Sequence, residues 1–386
     1  ALQYIKNSPN LRLCGKGCHC CPMACYRVVN LPNGKYAGLK LSGLFVTFLH
    51  QWGAQCGISN WPAIWKCEEL IQRLGLDLGS TAGTIAFALE LYQRGIIDEK
   101  DTGNLSLKWG VENAIMELIH QIAYRQGFGN ILAEGSVRAS QTIGRGAERY
   151  AMAIKGSEIM GSDPRTRSRW WGFGIQVSLR GGDNIKTTHA ATFHPGDFKE
   201  ESLKAGITES EYLERFINQL DIFPEVKDRI FGRPPKFDPY SYRGVAAMTK
   251  WYEEVSSVIN ALGLCLMDQT MLTHKLGPTY YSDLISSCIG KEITPKGLVE
   301  IGERIYNLQK MYMVIHGFDR KEDDWPARFY EEEIPEGPSK GATLHREEID
   351  QVLDEYYTLR GWNHQGIPKE ETLTRLDLKE LIDDLP

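Results

Sequence analysis

Five of the nine cysteines in this chain fall within twelve residues, Cys14-Gly-Lys-Gly-Cys18-His-Cys20-Cys21-Pro-Met-Ala-Cys25. No other feature restricts the fold as tightly. Thiols this close in sequence cannot all pair with one another in good disulfide geometry, and nine is an odd number. The pattern argues against a secreted disulfide framework. It points to metal in a reducing compartment, so a cytoplasmic protein is expected. Cys18-x-x-Cys21-x-x-x-Cys25 supplies three thiolates on one tight loop, with Pro22 to stiffen it and Gly15 and Gly17 to let the backbone approach a cluster. Iron–sulfur clusters take closely spaced thiolates, commonly with a fourth from far away in the chain. Cys265, in Leu262-Gly263-Leu264-Cys265, is the expected fourth ligand. Structural zinc competes with this reading, but zinc favours two paired Cys-x-x-Cys knuckles, and one such pair is found. Cys14 and Cys20 are spare thiols in this scheme. Cys67 and Cys288 read as small buried apolar residues.

The length of 386 residues predicts two or three domains, enough to bury a core without staples. A division is expected at the breakers of Gly232–Pro239 (GRPPKFDP), giving domains 1–235 and 236–386. Helical periodicity is read over Thr81–Arg94, capped by Ser80 and stopped at Gly95, and over Trp109–Gln126, stopped at Gly127. Glu209–Leu220, Arg243–Ala261 and Pro295–His316 read alike, and Tyr26–Asn30 and Tyr150–Ile154 are the best strands. Glu333–Gly341 is expected to be an exposed connection. No run of 18 apolar residues exists, so no transmembrane segment is expected. The chain starts without Met and without a secretory signal, which reads as a processed or truncated piece. Net charge is −6, with 8 basic and 18 acidic residues from Lys321 to Pro386. The mildly basic remainder suits an anionic cofactor but not nucleic acid, and the acidic tail is expected to be a solvated surface.

A near-repeat completes the motifs. Gln72-Arg-Leu-Gly75-Leu76-Asp77 and Asn260-Ala-Leu-Gly263-Leu264-Cys265 share one frame, a polar residue followed by Leu-Gly-Leu and a polar or thiol side chain. Each closes a helix at glycine and turns a polar group outward.

Taken in order, these residues resemble the tungsten-containing aldehyde:ferredoxin oxidoreductases. The resemblance runs through the cysteine loop, Ser80–Leu91, Ile122–Gly135, Asp163-Pro-Arg165, the Leu-Gly-Leu-Cys265 element, Gly317-Phe-Asp-Arg320 and Leu353–Trp362. It implies a mainly α fold of two helical domains, the C-terminal domains 2 and 3 of that family, with a few short strands. It also implies a tungsten bis-pyranopterin and one [4Fe–4S] cluster on Cys18, Cys21, Cys25 and Cys265. The two Leu-Gly-Leu elements would hold the pterins through Gln72, Gly75, Leu76 and Asp77, and through Asn260, Gly263 and Leu264. The family places Asp where this chain has Gln72 and Asn260, amides that still hydrogen-bond but carry no charge.

Another departure is larger. The family carries an acidic stretch before a Ser-Asn, and Gln51–Asn60 here has none, but does have Cys56. This resembles the active-site subunit of tungsten-dependent benzoyl-CoA reductases. Cys56 is accordingly expected as a catalytic tungsten ligand, since a soft thiolate suits the metal. The expected reaction is reduction of the aromatic ring of benzoyl-CoA, a small-molecule CoA thioester, with electrons from a separate iron–sulfur subunit in a hetero-oligomer. Aldehyde oxidation is the alternative, and a non-catalytic iron–sulfur electron-transfer subunit is a third reading from another class. His189 and His194 are candidates for protonation. Arg165, Arg167, Arg169 and Arg180, around Trp170 and Trp171, are candidates for phosphate contacts.

Overall fold

The cysteine loop is the connection of an antiparallel hairpin. Strand β1 (Arg12–Lys16) pairs with β2 (Tyr26–Asn30), Cys14 opposite Val28 and Lys16 opposite Tyr26, and β2 pairs with β3 (Lys40–Gly43). The computed structural model describes residues 12–21, 24–43, 45–160, 163–166, 169–183, 185–187, 195–238, 240–266 and 276–386. It is mainly α-helical with a few short strands, and it divides into two compact units, Ala1–Ser162 and Asp163–Pro386.

In the first unit a π-helical turn, Leu49–Gln55, leads to α1 (Trp61–Leu74), α2 (Leu78–Gln93) and α3 (Glu112–Tyr124). Trp52, Ile64, Trp65, Ile85, Leu118 and Ile119 are central to its core. Helix α2 is buried on nearly every side from Thr81 to Leu89, as an apolar helix without a polar face must be. Its N-cap is Asp77 rather than the expected Ser80: the Asp77 carboxylate accepts the Ser80 N–H at 2.8 Å, so Ser80 is already in the first turn. Helix α3 ends at Arg125, which takes the left-handed conformation itself (φ 52°), and Gly127 opens the next short helix instead of closing this one. The strand expected over Tyr150–Ile154 shrinks to β4 (Ala153–Ile154), paired with β5 (Ser157–Glu158), because Tyr150 closes a 3₁₀ turn.

The second unit contains α4 (Arg169–Val177), α5 (Glu209–Gln219), α6 (Val245–Ala261), α7 (Pro278–Ile289), α8 (Pro295–Ile315) and α9 (Arg346–Arg360). The breaker segment where the sequence placed a division lies inside this unit. There the Trp170 indole on α4 donates to the carbonyls of Asp238 and Ser241 at 3.1 and 3.0 Å. Helices α6 and α8 pack so closely at Gly302 that an added Cβ would lie 2.2 Å from the Glu254 carbonyl oxygen. Fully buried Arg360 on α9 donates to Glu254 at 3.0 Å and also to Glu253. The hydroxyls of Tyr306 and Tyr356 donate to the same Glu253 carboxylate at 2.7 and 2.6 Å. A buried ion pair this well satisfied holds its elements in register, and stripping one partner leaves an uncompensated buried charge. The acidic C-terminal stretch is therefore more than a solvated tail, since α9 buries Ile349, Leu353, Tyr356 and Tyr357. Cys67 is buried as expected, whereas Cys288 is exposed, on the outer face of α7 with exposed Leu284 and Ile289.

Candidate functional site

The hairpin presents the cysteine loop outward. Cys14, Cys18 and Cys20 are exposed, Cys21 and Cys25 half-buried, and none of the nine cysteines is in a disulfide. The Cys21 N–H donates to the Cys18 carbonyl at 3.0 Å, and Cys20 and Ala24 take positive φ, so the chain doubles back between the thiols. Among the described residues no three His, Cys, Asp or Glu side chains already form a metal-holding group. The loop thus carries soft donors in number rather than a closed constellation.

The first Leu-Gly-Leu element is the junction between α1 and α2. Gly75 is left-handed (φ 69°), its N–H and that of Leu76 both bond the Ile71 carbonyl, and nothing lies within 4 Å of where a Cβ would stand. Such a turn is the common glycine end of a helix. Gln72 projects from the last turn of α1. Its Nε2 donates to Glu68 Oε1 at 2.9 Å and to the Ser42 carbonyl at 3.3 Å. Glu68 is almost fully buried and accepts from the Trp52 indole at 3.4 Å; burial raises its pKa.

The second element ends α6 with the same backbone. Gly263 is left-handed (φ 67°), and the Leu264 N–H bonds the Ile259 carbonyl at 3.0 Å. Asn260, Gly263, Leu264 and Cys265 are all exposed. Asn260 lines a cleft of about 350 Å³ within the second unit, together with Arg180, Asp183, Lys186, Gln309 and Tyr312. The Lys186 ammonium sits 4.8 Å from the centre of the Tyr306 ring and donates to Ser257 and Gln309. Burial lowers its pKa to about 8. Arg180 pairs with Asp183 at 3.0 Å and is otherwise open to solvent.

Cys56, the expected tungsten ligand, is in the first unit. It follows the π-helical turn, has no exposed surface, and donates to the Ala82 carbonyl at 3.5 Å within the first core. Burial pushes its thiol well above its ordinary pKa. Among its small neighbours, the turn at Gly57 abuts the backbone of Gly110. Of the arginines, Arg165 is engaged by Asp163 and Arg169 by Glu348, which leaves Arg180 as the one in the cleft among those described. Arg167, His189 and His194 lie outside the described residues. Lys186 was missed as a site residue. Its only sequence signal was a lone cation six residues after Arg180 in an Arg-Gly-Gly turn segment.

Two helix-end turns of one design, an outward loop of thiols and a cleft carrying Arg180 and Lys186 are the polar features these two units present. The chain belongs to the aldehyde ferredoxin oxidoreductase family: residues 6–378 match the family model for domains 2 and 3. The tungsten-containing aldehyde ferredoxin oxidoreductase of Pyrococcus horikoshii is 33% identical over 373 residues, 95% of this chain and 53% of that protein. The aliphatic sulfonate oxidoreductase, WOR-like subunit, of Pyrococcus furiosus is 31% identical over 371 residues, covering 93% of this chain and 50% of its own length. Among solved structures, the active site complex BamBC of benzoyl coenzyme A reductase, in complex with 1,5 dienoyl-CoA, matches with a TM-score of 0.78. That match has 23% identity and covers 99% of this chain and 55% of that one, a likeness of fold. The chain spans about half the length of the curated relatives it matches. Tungsten, pterin and iron–sulfur cofactors go with this family, and the residues here fit them in donor chemistry. The loop offers soft thiols, and each turn offers an amide over open space. Among the described residues no helix is long and apolar enough to cross a membrane.

Proposed function

We propose that this chain is the cofactor-holding portion of a tungsten bis-pyranopterin oxidoreductase that oxidises an aldehyde to its carboxylate. The observation that carries the reading is the paired turns, each an exposed amide one helical turn before a left-handed glycine. In this reading Gln72, Gly75, Leu76 and Asp77 contact one pterin. Asn260, Gly263 and Leu264, with Arg180 and Lys186, contact the other and its anionic groups. Cys18, Cys21, Cys25 and Cys265 hold the [4Fe–4S] cluster. When bound, the metal and cluster supply the electron chemistry, and the protein supplies binding, orientation and electrostatics. Electrons pass to a separate iron–sulfur protein or subunit in a hetero-oligomer.

Aldehyde oxidation is preferred to ring reduction on two grounds. The relatives above 30% identity include aldehyde oxidoreductases, and Cys56, the residue invoked for ring reduction, is packed into a core. Reduction of an aromatic CoA thioester keeps one supporting observation, the absence of a carboxylate from Gln51 to Asn60. Anaerobic purification of the full-length protein, with metal analysis and a screen of aldehydes against benzoyl-CoA, tests both. Tungsten with aldehyde turnover is expected. Protein without tungsten, molybdenum or pterin would sink the reading, and turnover of benzoyl-CoA alone would reverse the preference.

A further inference from the structure

Gln72 is a primary amide, able both to donate and to accept. Here its two N–H groups are both committed. They point at Glu68 Oε1 and at the Ser42 carbonyl, 2.9 and 3.3 Å away. The Ser42 backbone carbonyl only accepts, so the amide nitrogen must be the atom on the side that faces Ser42 and Glu68. The Gln72 Oε1 has no hydrogen-bond partner among the described residues, on a side chain that is exposed. Glu68 is held in turn: only 3% exposed, it receives the Trp52 indole N–H on Oε2 and Gln72 on Oε1. The second element lacks this arrangement, since no hydrogen bond is found for the Asn260 side chain among the described residues.

We propose that Glu68 is a positioning residue that locks Gln72 into an acceptor-only state, so the first turn receives an N–H-bearing heterocycle edge through an uncharged oxygen. This rests on the pterin reading above and sharpens it. The 2-aminopyrimidinone edge of a pterin offers adjacent N–H donors, which a freely flipping amide would meet with its own N–H about as often as with its oxygen. Locked, the amide does the hydrogen-bonding work of a carboxylate without its charge. Glu68 itself stays beneath Gln72 and touches no ligand.

The test uses the full-length enzyme, purified anaerobically, and reads pterin retained per polypeptide after a fixed dialysis, alongside the melting temperature. Glu68→Gln lets residue 68 donate as well as accept, which frees the Gln72 amide to turn over. The expected result is about fivefold faster pterin loss, the effect of one hydrogen bond, with the melting temperature held. Gln72→Met, of similar length but without a polar group, is expected to lose pterin at least as fast. Unchanged retention in Glu68→Gln beside impaired retention in Gln72→Met overturns the role of Glu68. Unchanged retention in both overturns the site. A wild-type enzyme without pterin fails the cofactor reading itself and takes this proposal with it. Should Glu68→Gln not accumulate, hydrogen exchange of the ¹⁵N-labelled Gln72 side-chain amide in the unaltered protein decides. Slowed exchange supports the lock, and exchange at the free-amide rate overturns it.

Discussion

The two Gly-Leu turns share a backbone and differ in what stands behind them. Gly75 and Gly263 have φ of 69° and 67°, and in each case the following leucine N–H reaches back five residues at 3.0 Å. The first turn is a junction, with α1 on one side and α2 on the other. Its polar groups are fixed locally, Gln72 by Glu68 and Ser42, Asp77 by capping α2. The second turn is held through its stem: α6 is anchored two turns earlier, where Arg360 binds Glu253 and Glu254. Asn260 and Cys265 at its end stay exposed. One sequence frame therefore serves two mechanical designs, a pinned joint and a braced rod.

The largest expected effect breaks the brace. Arg360→Ala should destabilise the second unit by about 3–5 kcal/mol, because Glu253 and Glu254 are left buried without their cation. Denaturant unfolding measures it, and a loss below about 1 kcal/mol would mean that α6 does not depend on this pair. Next comes the residue that ends each frame. Asp77→Ala should remove about 1 kcal/mol of stability, the usual effect of losing an N-cap, and leave the iron content of the full-length enzyme intact. Cys265→Ala should do the reverse, with iron reduced to background and stability within about 0.5 kcal/mol of wild type when both are compared as apoprotein. Iron retained in Cys265→Ala would remove it from the cluster. Gly75→Ala and Gly263→Ala should each cost about 1 kcal/mol for a left-handed backbone, and by the same amount, since a methyl group meets no neighbour at either position. Unequal losses would show that the turns differ in backbone strain as well.

A last contrast is a pH dependence that arises in the second turn's cleft. Burial lowers the Lys186 pKa from 10.5 to about 8. Phosphate affinity measured calorimetrically should therefore fall as pH rises through about 8, as the ammonium is lost. The sign for folding is opposite. Between pH about 8 and about 10.5 the unfolded chain holds the extra proton, so stability rises with pH across that window. Phosphate affinity flat across pH 8 would place the cleft's positive charge on Arg180 alone.

Much of this was legible in the sequence. The cysteine spacing marked a tight loop and Tyr26–Asn30 a strand, though not the partner strand Arg12–Lys16, and the frames at Gly75 and Gly263 marked two true helix ends. Helix interiors were read well because an apolar face repeats for several turns; their ends shifted where a local competitor won. Asp77 out-competed Ser80 as a cap because its carboxylate reaches a free N–H three residues on, and Arg125 took the left-handed position assigned to Gly127. The surroundings of Cys56 were harder to read, since its contact with Ala82 and the contact of Gly57 with Gly110 join residues 26 and 53 positions apart. Lys186 was invisible because its partners are 71 and 123 residues away.

Gly302 carries a consequence for the width of the cleft. It lets α8 lie directly against the Glu254 carbonyl of α6. Seven residues on, about 10 Å along the same helix, Gln309 forms part of the cleft lining, with Asn260 of α6 among the other lining residues. The separation of those two residues is thus gauged by a position outside the lining. A side chain at 302 would act as a shim, prising the two helices apart and widening the slot.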